Sequence, residues 1–533
     1  MVYIMERFFN TAGPVDPEIH YCIDPLKRID LPEVVRLIDQ RKYFVLHAPR
    51  QTGKTSALFA LAKKLNHEGR FLCSYVNVES AQTSRNDVIT GMRTIVADLA
   101  RLASFYCGDP WPSENWRRVA DEQGPGALGA LLAQWSQASA KPIVLLIDEI
   151  DSLVGDTLVA VLRQIRSGYS QRPAAFPQSI VLCGVRDVRD YRIKQEGREV
   201  ITGGSAFNIK AESLRVGDFS AKETGDLLCQ HTSATGQVFE DAAIENVYAL
   251  TNGQPWLVNA LAYELCFRDK EGRNRSTRIS PAMVDAAKEV LILRRDTHID
   301  QLIDKLHEAR VRKVIEPLLA GRKITTTVST DDRQYVEDLG LIRRSGQGVV
   351  IANPIYQEVI PRELTWMIQE NIQSLVQQQW YVDPKTGRLL MDKLIAAFQQ
   401  FFRENAGAWL EKFDYKEAGP QLLLQAFLQR IVNGNGTIAR EYGLGRQRVD
   451  LCVFWPLPGG ALQKEVLELK LLRKSLQSTV ADGMAQTAEY MDACGVCAGH
   501  LLIFDRSTKK PWSRKIFRRK KTVDRKTVMV WGM

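Results

Sequence analysis

The sequence lacks the features that would indicate a membrane protein, a secreted protein or a structural zinc site. Its 533 residues contain no apolar stretch whose length approaches the roughly 20 residues that are needed to span a bilayer. The N-terminus shows no basic region followed by an apolar one, so no signal peptide is expected. Nine cysteines are scattered along the chain. Only Cys494 and Cys497 form a close pair, and no second pair stands at zinc spacing from it. A redox role for this pair stays open, but we expect reduced thiols in a cytoplasmic protein that does not enter a membrane.

Length and charge bound the number of domains and the type of partner. A chain of 533 residues predicts three or four domains, since one domain commonly takes about 100–200 residues. Hydrophobic residues make up 45% of the chain, an ordinary share for domains that each build a core. The formal net charge is +9, and the excess of Lys and Arg is not spread evenly.

Residues 43–56 have the pattern of a phosphate-binding loop between a strand and a helix. An apolar strand is followed by a loop, and Gly53, Lys54 and Thr55 stand where a helix begins. In such a loop backbone N–H groups cradle the phosphates, the lysine reaches the β- and γ-phosphates, and the threonine hydroxyl binds magnesium. The first glycine of GxxxxGK[ST] is replaced by alanine, which tolerates left-handed dihedrals poorly, and a chance Gly-Lys-Thr is the alternative. The predicted nucleotide-binding residues are Ala48, Pro49, Arg50, Gln51, Thr52, Gly53, Lys54, Thr55 and Ser56.

Two later strands would supply the rest of a nucleotide site. The apolar run 143–147 ends in Asp148 and Glu149. There the aspartate would hold magnesium through water and the glutamate would polarise the attacking water. The alternative is a strand that ends in acids because loops are polar, and Asp151 is as well explained as a helix cap. Residues 179–183 predict a further strand, after which Arg186 is the candidate to point at the γ-phosphate.

Residues 216–299 are mainly helical and contain Gly253-Gln254-Pro255 at a helix start. Proline is tolerated in the first helical turn because its missing N–H has no partner there, and we expect Pro255 to approach the nucleotide. Arg163 and Arg166 lie on the helix after the Asp-Glu strand and are candidate fingers for a neighbouring subunit. Solvated arginines are common on helices, so the homo-oligomer that they suggest is an expectation.

The first half of the chain resembles the archaeal-type and STAND-like ATPases of the extended AAA+ group. The resemblance rests on Ala-Pro-Arg-Gln-Thr-Gly-Lys-Thr-Ser (48–56), Leu-Leu-Ile-Asp-Glu (145–149) and Gly-Gln-Pro-Trp (253–256), in that order. It covers about residues 1–270. It implies an ATPase with a parallel sheet and a helical lid, and ATP and Mg²⁺ as cofactors.

Residues 300–370 predict a small winged-helix domain. We expect helices around 311–318 and up to 339, and then a hairpin with a glycine turn. Its cations would suit phosphate contacts, although such a unit is as often a packing module between two other domains. These cations are Arg310, Arg312, Lys313, Arg343 and Arg344.

A second site, which would catalyse a different reaction, is predicted near the C-terminus. The strand 446–454 carries Asp450, and after a Pro/Gly turn the returning strand 465–470 carries Glu468 and Lys470. Residues two apart on a strand share a face, so Glu468 and Lys470 would point together. Two acids can hold magnesium, and a lysine can orient or deprotonate a water for phosphodiester attack. Alternating charge on a half-exposed strand is the alternative.

Residues 415–533 resemble the RecB-like members of the PD-(D/E)XK nucleases. Asp450, Glu468 and Lys470 match the catalytic positions, with Asp450 and Glu468 as metal ligands, and Gln486 and Tyr490 match the Gln-x-x-x-Tyr helix motif. Val449 replaces the proline of the motif. The family often carries an acid on its first helix, and Glu417 is the candidate here.

Basic residues crowd the last thirty positions, interleaved with Trp512 and Phe517. Beside a nuclease such a run suits the tracking of DNA phosphates, although a lysine run is usually a solvated face. The candidate nucleic-acid contacts are Lys510, Arg514, Arg518 and Lys521.

Together these patterns predict an α/β chain: a P-loop ATPase with parallel sheet and helical lid, a winged-helix connector and a restriction-endonuclease-like domain. The predicted function is ATP-dependent regulation of a magnesium-dependent nuclease acting on DNA. A role in bacterial genome defence is implied by analogy only. The alternatives are a nucleotide switch whose inactive nuclease fold grips DNA, and a structural ATPase scaffold. The predicted domains are 1–215 (ATPase core and lead-in), 216–299 (lid), 300–370 (winged helix), 371–414 (helical linker) and 415–533 (nuclease and basic tail).

Overall fold

The structure is a computed structural model, and no helix in the described part is both long and apolar enough to cross a membrane. Two compact units are present. The N-terminal unit comprises residues 1–302, 330–344 and 352–355, and the C-terminal unit comprises residues 303–329, 345–351 and 356–533. The described residues are 6–186, 192–193, 201–202, 209–294, 297–306, 308–319, 328–346, 348–364, 380–412, 423–425, 427–428, 436–444, 447–472, 475–505, 507, 510–523 and 526–533.

The N-terminal unit is built on a five-stranded parallel sheet, which confirms the predicted α/β fold. Its three central strands, at residues 43–47, 143–148 and 179–184, are nearly continuous apolar runs, as expected where helices cover both faces of a parallel sheet. The order is β4-β5-β6-β3-β9, so β6 lies between the strand that leads into the phosphate-binding loop and the strand that ends in Asp148. The strands of this unit up to residue 215 are β1 (Phe8–Phe9), β2 (His20–Tyr21), β3 (Tyr43–His47), β4 (Leu72–Asn77), β5 (Ile143–Asp148), β6 (Ser179–Gly184), β7 (Arg192–Ile193), β8 (Ile201–Thr202) and β9 (Lys210–Arg215).

Helices cover both faces of this sheet. Alternate strand residues point to opposite faces, so Phe44 and Leu46 pack with α1 and α2, while Tyr43 and Val45 pack on the side of α3 to α6. The helices are α1 (Leu31–Asp39), α2 (Lys54–Glu68), α3 (Val88–Cys107), α4 (Trp111–Gln123), α5 (Ala127–Ala138) and α6 (Gly155–Ser167).

Residues 105–125, whose three prolines and two tryptophans predict an insertion or an irregular connection, form helix α4 over most of their length. Pro112 stands at the second position of the helix, where proline costs no hydrogen bond. The helix contributes Val119 and Ala120 to the core. Tertiary packing therefore makes a helix of this stretch.

Residues 216–299, predicted to be mainly helical, contain four helices in their described part, and a fifth extends to residue 306. A capping box, in which Ser220 and Glu223 bond each other's backbone N–H groups, begins the first of these helices. Pro255 begins the third, also as predicted. The helices are α7 (Ala221–Thr235), α8 (Asp241–Thr251), α9 (Pro255–Tyr263), α10 (Pro281–Arg294) and α11 (Thr297–Leu306).

Residues 308–364 contain the predicted helices and two short strands. Residues 320–327, which include most of a Thr-rich stretch at 323–330, lie outside the described part. Residues 330–344 belong to the N-terminal unit, whereas residues 309–319 belong to the C-terminal unit. The winged-helix interpretation therefore stays a prediction. The elements are α12 (Ala309–Leu319), α13 (Thr330–Asp338), β10 (Ile342–Ser345), β11 (Gly348–Ile351) and α14 (Pro354–Leu364).

The C-terminal unit contains a six-stranded mixed sheet of order β12-β13-β14-β15-β17-β16. The predicted strands 446–454 and 465–470 correspond to β13 and β14, and the apolar run 500–504, which also predicts a strand, corresponds to β15. The sequence misses β12, β16 and β17. The basic run near the C-terminus is thus not a free tail, because its strand β16 pairs antiparallel with β17. The strands are β12 (Thr437–Leu444), β13 (Gln447–Pro456), β14 (Leu462–Leu471), β15 (Ala498–Phe504), β16 (Phe517–Val523) and β17 (Lys526–Gly532).

Helices α15 (Met391–Lys412) and α16 (Leu476–Cys494) cover opposite faces of this sheet, and a short helix α17 (Trp512–Lys515) precedes β16. Helix α15 falls in the predicted linker 371–414. Its residues Leu394 and Phe398 nevertheless pack in one core with Leu467 and Phe504 of the sheet. The C-terminal core therefore begins before residue 415.

Candidate functional site

The loop between β3 and α2 has the conformation that a phosphate-binding loop requires. Gly53 precedes α2 with φ 94°, and Gln51 is also left-handed at φ 56°. Ala48, which stands where the motif has its first glycine, is not among the residues with positive φ. Its N–H instead donates to the Gly184 carbonyl at 3.2 Å. The alanine therefore causes no backbone strain, because the left-handed positions fall later in the loop.

Lys54 lies folded against this loop. Its side chain is buried, and Nζ donates to the carbonyl oxygens of Ala48 at 3.0 Å and Pro49 at 2.9 Å. A buried ammonium must be hydrogen-bonded, and the loop's own carbonyls satisfy it. The same reach would let Nζ turn to a phosphate in the loop.

The carboxylate of Asp148 lies beside the first turn of α2. Oδ2 accepts hydrogen bonds from the Thr55 hydroxyl at 2.7 Å and from the Tyr75 hydroxyl at 3.0 Å. Oδ1 accepts the N–H of Glu149 at 2.9 Å. A hydroxyl and a carboxylate oxygen at this separation fit a magnesium ion, which prefers oxygen ligands and retains waters.

Glu149 follows in a left-handed conformation with φ 54°. Burial raises the pKa of Glu149 above its ordinary range, and Asp151 and Asp148 add to this while Lys54 and Arg50 oppose it. Asp151 is not the cap of α6, since its Oδ1 accepts the N–H of Val185 at 3.1 Å and so ties the end of β6 to this turn. A raised pKa suits a carboxylate that polarises water.

A cavity opens beside the loop, between the lead-in segment and the lid helices of the N-terminal unit. Val15 N–H donates to the Ser56 hydroxyl at 3.0 Å, and the Trp256 indole donates to the Thr11 carbonyl at 2.9 Å. Pro255, which the sequence predicts to approach the nucleotide, lines this cavity. The Tyr21 hydroxyl and Asn259 Oδ1 are buried there without a hydrogen-bond partner. The lining is formed by Asn10, Thr11, Ala12, Gly13, Val15, Tyr21, Cys22, Ile23, Pro25, Arg28, Gln51, Thr52, Gly53, Ser56, Phe219, Leu227, Pro255, Trp256 and Asn259.

Arg186 follows β6, and its guanidinium lies over the ring of Tyr335 on α13, 4.9 Å from the centroid. The same part of the N-terminal unit touches the phosphate-binding loop, since a Cβ on Gly340 would lie 2.8 Å from the Pro49 Cβ. Arg163 and Arg166 are exposed on α6. Their role as fingers stays a prediction.

The three residues of the second predicted site meet on β13 and β14. The register that pairs Leu451 with Leu467 places Asp450 opposite Glu468 one step further along. Lys470 Nζ lies 2.6 Å from Glu468 Oε1, and Asp450 Oδ2 accepts the N–H of Leu469 at 2.8 Å. Glu468 and Lys470 share a face, as the strand period predicts.

Glu468 is the most buried of these three residues. Its side chain is 3% exposed, and within the described residues its buried Oε2 accepts no hydrogen bond, although it can share a proton with Asp450. Burial and the neighbouring Asp450 raise the pKa of Glu468 to about 8, against the opposing effect of Lys470. A buried carboxylate next to a second acid fits a hard cation such as magnesium. In the described ranges, no group of three or more His, Cys, Asp or Glu could hold a metal.

Gln486 and Tyr490 lie on α16, which covers the face that carries Glu468. Gln486 is exposed, and Tyr490 is buried in the core between this helix and the sheet. Glu417, the candidate acid of the first helix, lies outside the described residues.

Two of the four predicted nucleic-acid contacts, Lys510 and Arg518, form ion pairs. Lys510 pairs with Asp505 at 2.9 Å, and Arg518 pairs with Asp392 while lying over the Trp531 ring. Arg514 and Lys521 are exposed. Strand β16 is an edge strand with a run of exposed basic residues, namely Arg518, Arg519, Lys520 and Lys521.

A phosphate-binding loop on a parallel sheet, with an Asp-Glu pair at the end of a neighbouring strand, defines a P-loop ATPase. Residues 37–191 match the family model described as AAA domain. The chain therefore contains an AAA-type P-loop ATPase domain, a fold that implies nucleotide and usually Mg²⁺ binding. No match was found among curated proteins.

Several solved structures are similar at low identity. The Walker-type ATPase PABY2304 of Pyrococcus abyssi has 14% identity and TM-score 0.42, over 66% of this chain and 99% of that one. The ORC2 protein of Aeropyrum pernix has 14% identity and TM-score 0.40, over 63% and 93%. The RuvB Holliday junction branch migration motor of Thermotoga maritima has 15% identity and TM-score 0.33, over 62% and 95%. At these TM-scores nothing about function rests on the likeness.

The sequence misses Tyr75 and Arg28 as parts of the nucleotide site. Tyr75 is 73 positions from Asp148 in the sequence. Nothing in the residues around Tyr75 indicates that its hydroxyl binds a carboxylate so far along the chain. The Arg28 guanidinium donates to the Thr52 carbonyl at 3.4 Å and lies over the Phe219 ring. A single arginine in a lead-in segment is equally uninformative until the fold brings the loop to it.

Proposed function

We propose that the protein binds and hydrolyses ATP and uses the nucleotide state to regulate a magnesium-dependent nuclease that acts on DNA. The observation that carries the nuclease part is the meeting of Asp450, Glu468 and Lys470 on β13 and β14, with the Glu468 side chain 3% exposed. Two carboxylates side by side in a buried site repel each other unless a shared proton or a ligand lies between them. A cation held by the two carboxylates is the simplest ligand of that kind.

On the ATPase side, each residue has a defined task. The loop N–H groups at the start of α2 would bind the phosphates, and Lys54 would leave the Ala48 and Pro49 carbonyls for the β- and γ-phosphates. Thr55 and Asp148 would hold magnesium, and Glu149 would orient the attacking water. The cavity beside Pro255 and Trp256 would take the nucleoside.

On the nuclease side, Asp450 and Glu468 would hold magnesium, and Lys470 would position a water or stabilise the charge that develops on the phosphate. When bound, magnesium supplies activation of water and charge stabilisation for phosphodiester cleavage. The exposed cations of β16 and Arg514 support DNA as the substrate, because Lys and Arg neutralise backbone phosphates. Assembly into a homo-oligomer, with Arg163 or Arg166 as a finger, belongs to the same proposal.

Cleavage of supercoiled plasmid and of single-stranded DNA with magnesium, each with and without ATP, tests this proposal. We expect Asp450→Ala to abolish cleavage and Lys54→Ala to change its dependence on ATP. Asp482→Asn, an exposed carboxylate on α16, and Lys63→Ala, an exposed lysine on α2, are the matched controls. Both controls should cleave like the wild type.

Cleavage that persists in Asp450→Ala would overturn the nuclease assignment. No cleavage by the wild type, together with ATP-dependent DNA binding, would favour the alternative of a nucleotide switch with an inactive nuclease fold. Absence of ATP hydrolysis would leave the scaffold alternative.

A further inference from the structure

The carboxylate of Asp148 accepts hydrogen bonds from three segments of the chain. It is fully buried, and two hydroxyls and one backbone N–H donate to it at 2.7–3.0 Å. A buried carboxylate away from water is tolerated when such donors satisfy its oxygens.

These donors are not equivalent once a magnesium-bound nucleotide occupies the site. Thr55 is itself the predicted magnesium ligand, and its hydroxyl can direct a lone pair at the metal while its proton still points at Asp148. The position of that donor is then tied to the metal. The Glu149 N–H binds the other oxygen, Oδ1. Tyr75 is therefore the side-chain donor that can hold Oδ2 independently of the metal.

Tyr75 is itself rigidly held. It lies on β4, paired with Leu146 two residues before Asp148 on β5, so its side chain reaches along the sheet to the carboxylate. Its ring packs edge-on against Phe59 of α2 at 4.7 Å and Tyr106 of α3 at 5.5 Å between centroids. A donor fixed on both sides by aromatic packing can impose one orientation on the carboxylate that it binds.

We propose that Tyr75 is a positioning residue for the magnesium-bound nucleotide, its hydroxyl holding Asp148 in the orientation that the metal requires. This inference rests on the proposed ATP and magnesium binding of the same site. The contrasting interpretation is that Asp148 merely satisfies a buried tyrosine hydroxyl. The two differ in what happens to magnesium when the hydroxyl is removed.

The test compares Tyr75→Phe with Tyr106→Phe in the full chain. Both variants keep the aromatic ring, and only the first removes a donor to Asp148. Binding of a fluorescent ATP analogue is measured in EDTA and across a magnesium titration, with thermal unfolding in EDTA as the folding control. For Tyr75→Phe we expect the half-saturating magnesium concentration to rise about tenfold or more, with unchanged nucleotide affinity in EDTA. Tyr106→Phe should match the wild type.

A double-mutant cycle with Asp148→Asn provides the second measurement. If Tyr75 acts through Asp148, Tyr75→Phe adds no further magnesium effect in the Asp148→Asn background. Equal magnesium dependence of wild type and Tyr75→Phe, or equal losses with and without magnesium, would overturn the inference. Failure of the wild type to bind the analogue at all would instead overturn the proposed function.

Discussion

The ionisation of Glu468 leads to a prediction about how the stability of the C-terminal unit depends on pH. Burial and the neighbouring Asp450 raise the pKa of Glu468 to about 8 from the ordinary glutamate value of 4.5. The folded unit therefore keeps a proton that the unfolded chain releases. The stabilisation is fully present below about pH 4.5 and is lost as the pH rises through about 8.

The magnitude follows from the two pKa values. Each pH unit between them corresponds to about 1.4 kcal/mol, so the interval from 4.5 to about 8 corresponds to on the order of 5 kcal/mol. The side chain is 3% exposed, so water screens little of this effect. Glu468→Gln cannot titrate, and its strand should not show this loss.

Hydrogen exchange of the β14 amides measures this local stability without assuming that the whole chain unfolds in one step. We expect the opening free energy of β14 in EDTA to fall between pH 5 and pH 8 in the wild type, and to stay nearly flat in Glu468→Gln. Saturating magnesium should reduce the fall, because a bound cation favours the ionised carboxylates. Asp482→Asn is the control, since that carboxylate is exposed on α16.

A rise of β14 stability over this pH range would refute the reasoning, because it would show that the folded state prefers ionised Glu468. If the opening free energy of β14 depended on pH identically in the wild type and in Glu468→Gln, a group other than Glu468 would determine that dependence. A fall of the same size in Asp482→Asn is required, since that variant keeps Glu468.

Three further predictions concern hydrolysis, the lid and the basic strand. Glu149→Gln should still bind ATP but hydrolyse it about 10²- to 10⁴-fold more slowly; phosphate release measures this, and an unchanged rate would exclude Glu149 as the residue that polarises water. Gly253→Ala should destabilise the lid by at least about 2 kcal/mol, because its φ is +76° and the new Cβ would lie 1.8 Å from a backbone carbonyl oxygen. Gly236→Ala has similar φ but open space and should cost about 1 kcal/mol in the same urea unfolding experiment; equal losses would contradict the steric argument. Arg514→Ala and Lys521→Ala should each lower the salt slope of duplex DNA binding by about 0.9, as anisotropy at several salt concentrations would show; unchanged slopes would remove these residues from the DNA surface.

Much of the fold could be predicted from local pattern. The apolar runs that became β3, β5 and β6 are recognisable because parallel strands buried on both faces leave little room for polar residues. The Gly-Lys-Thr step and the Asp-Glu pair could be located for the same reason, since each follows such a run.

Other elements could not be predicted, for physical reasons that particular residues show. The basic composition of β16 indicates a solvated tail, yet it pairs with β17 through the backbone groups on one side and so becomes an edge strand. Charged edge strands also discourage pairing with other chains. Arg186 illustrates the same limit, because its contact with Tyr335 joins residues that are far apart in the sequence.

The sequence by itself determined which chemical groups are present and which of them share a face. It placed Lys54 and Thr55 at a helix start and put Glu468 and Lys470 on one side of a strand, because these relations depend only on helix and strand geometry. Only the tertiary structure decided what surrounds them. Asp148 meets Thr55 across 93 positions and Tyr75 across 73, because strand order and register are set by packing between distant segments. Burial of Glu468 has the same origin, since it depends on the helix and strands that close over its face.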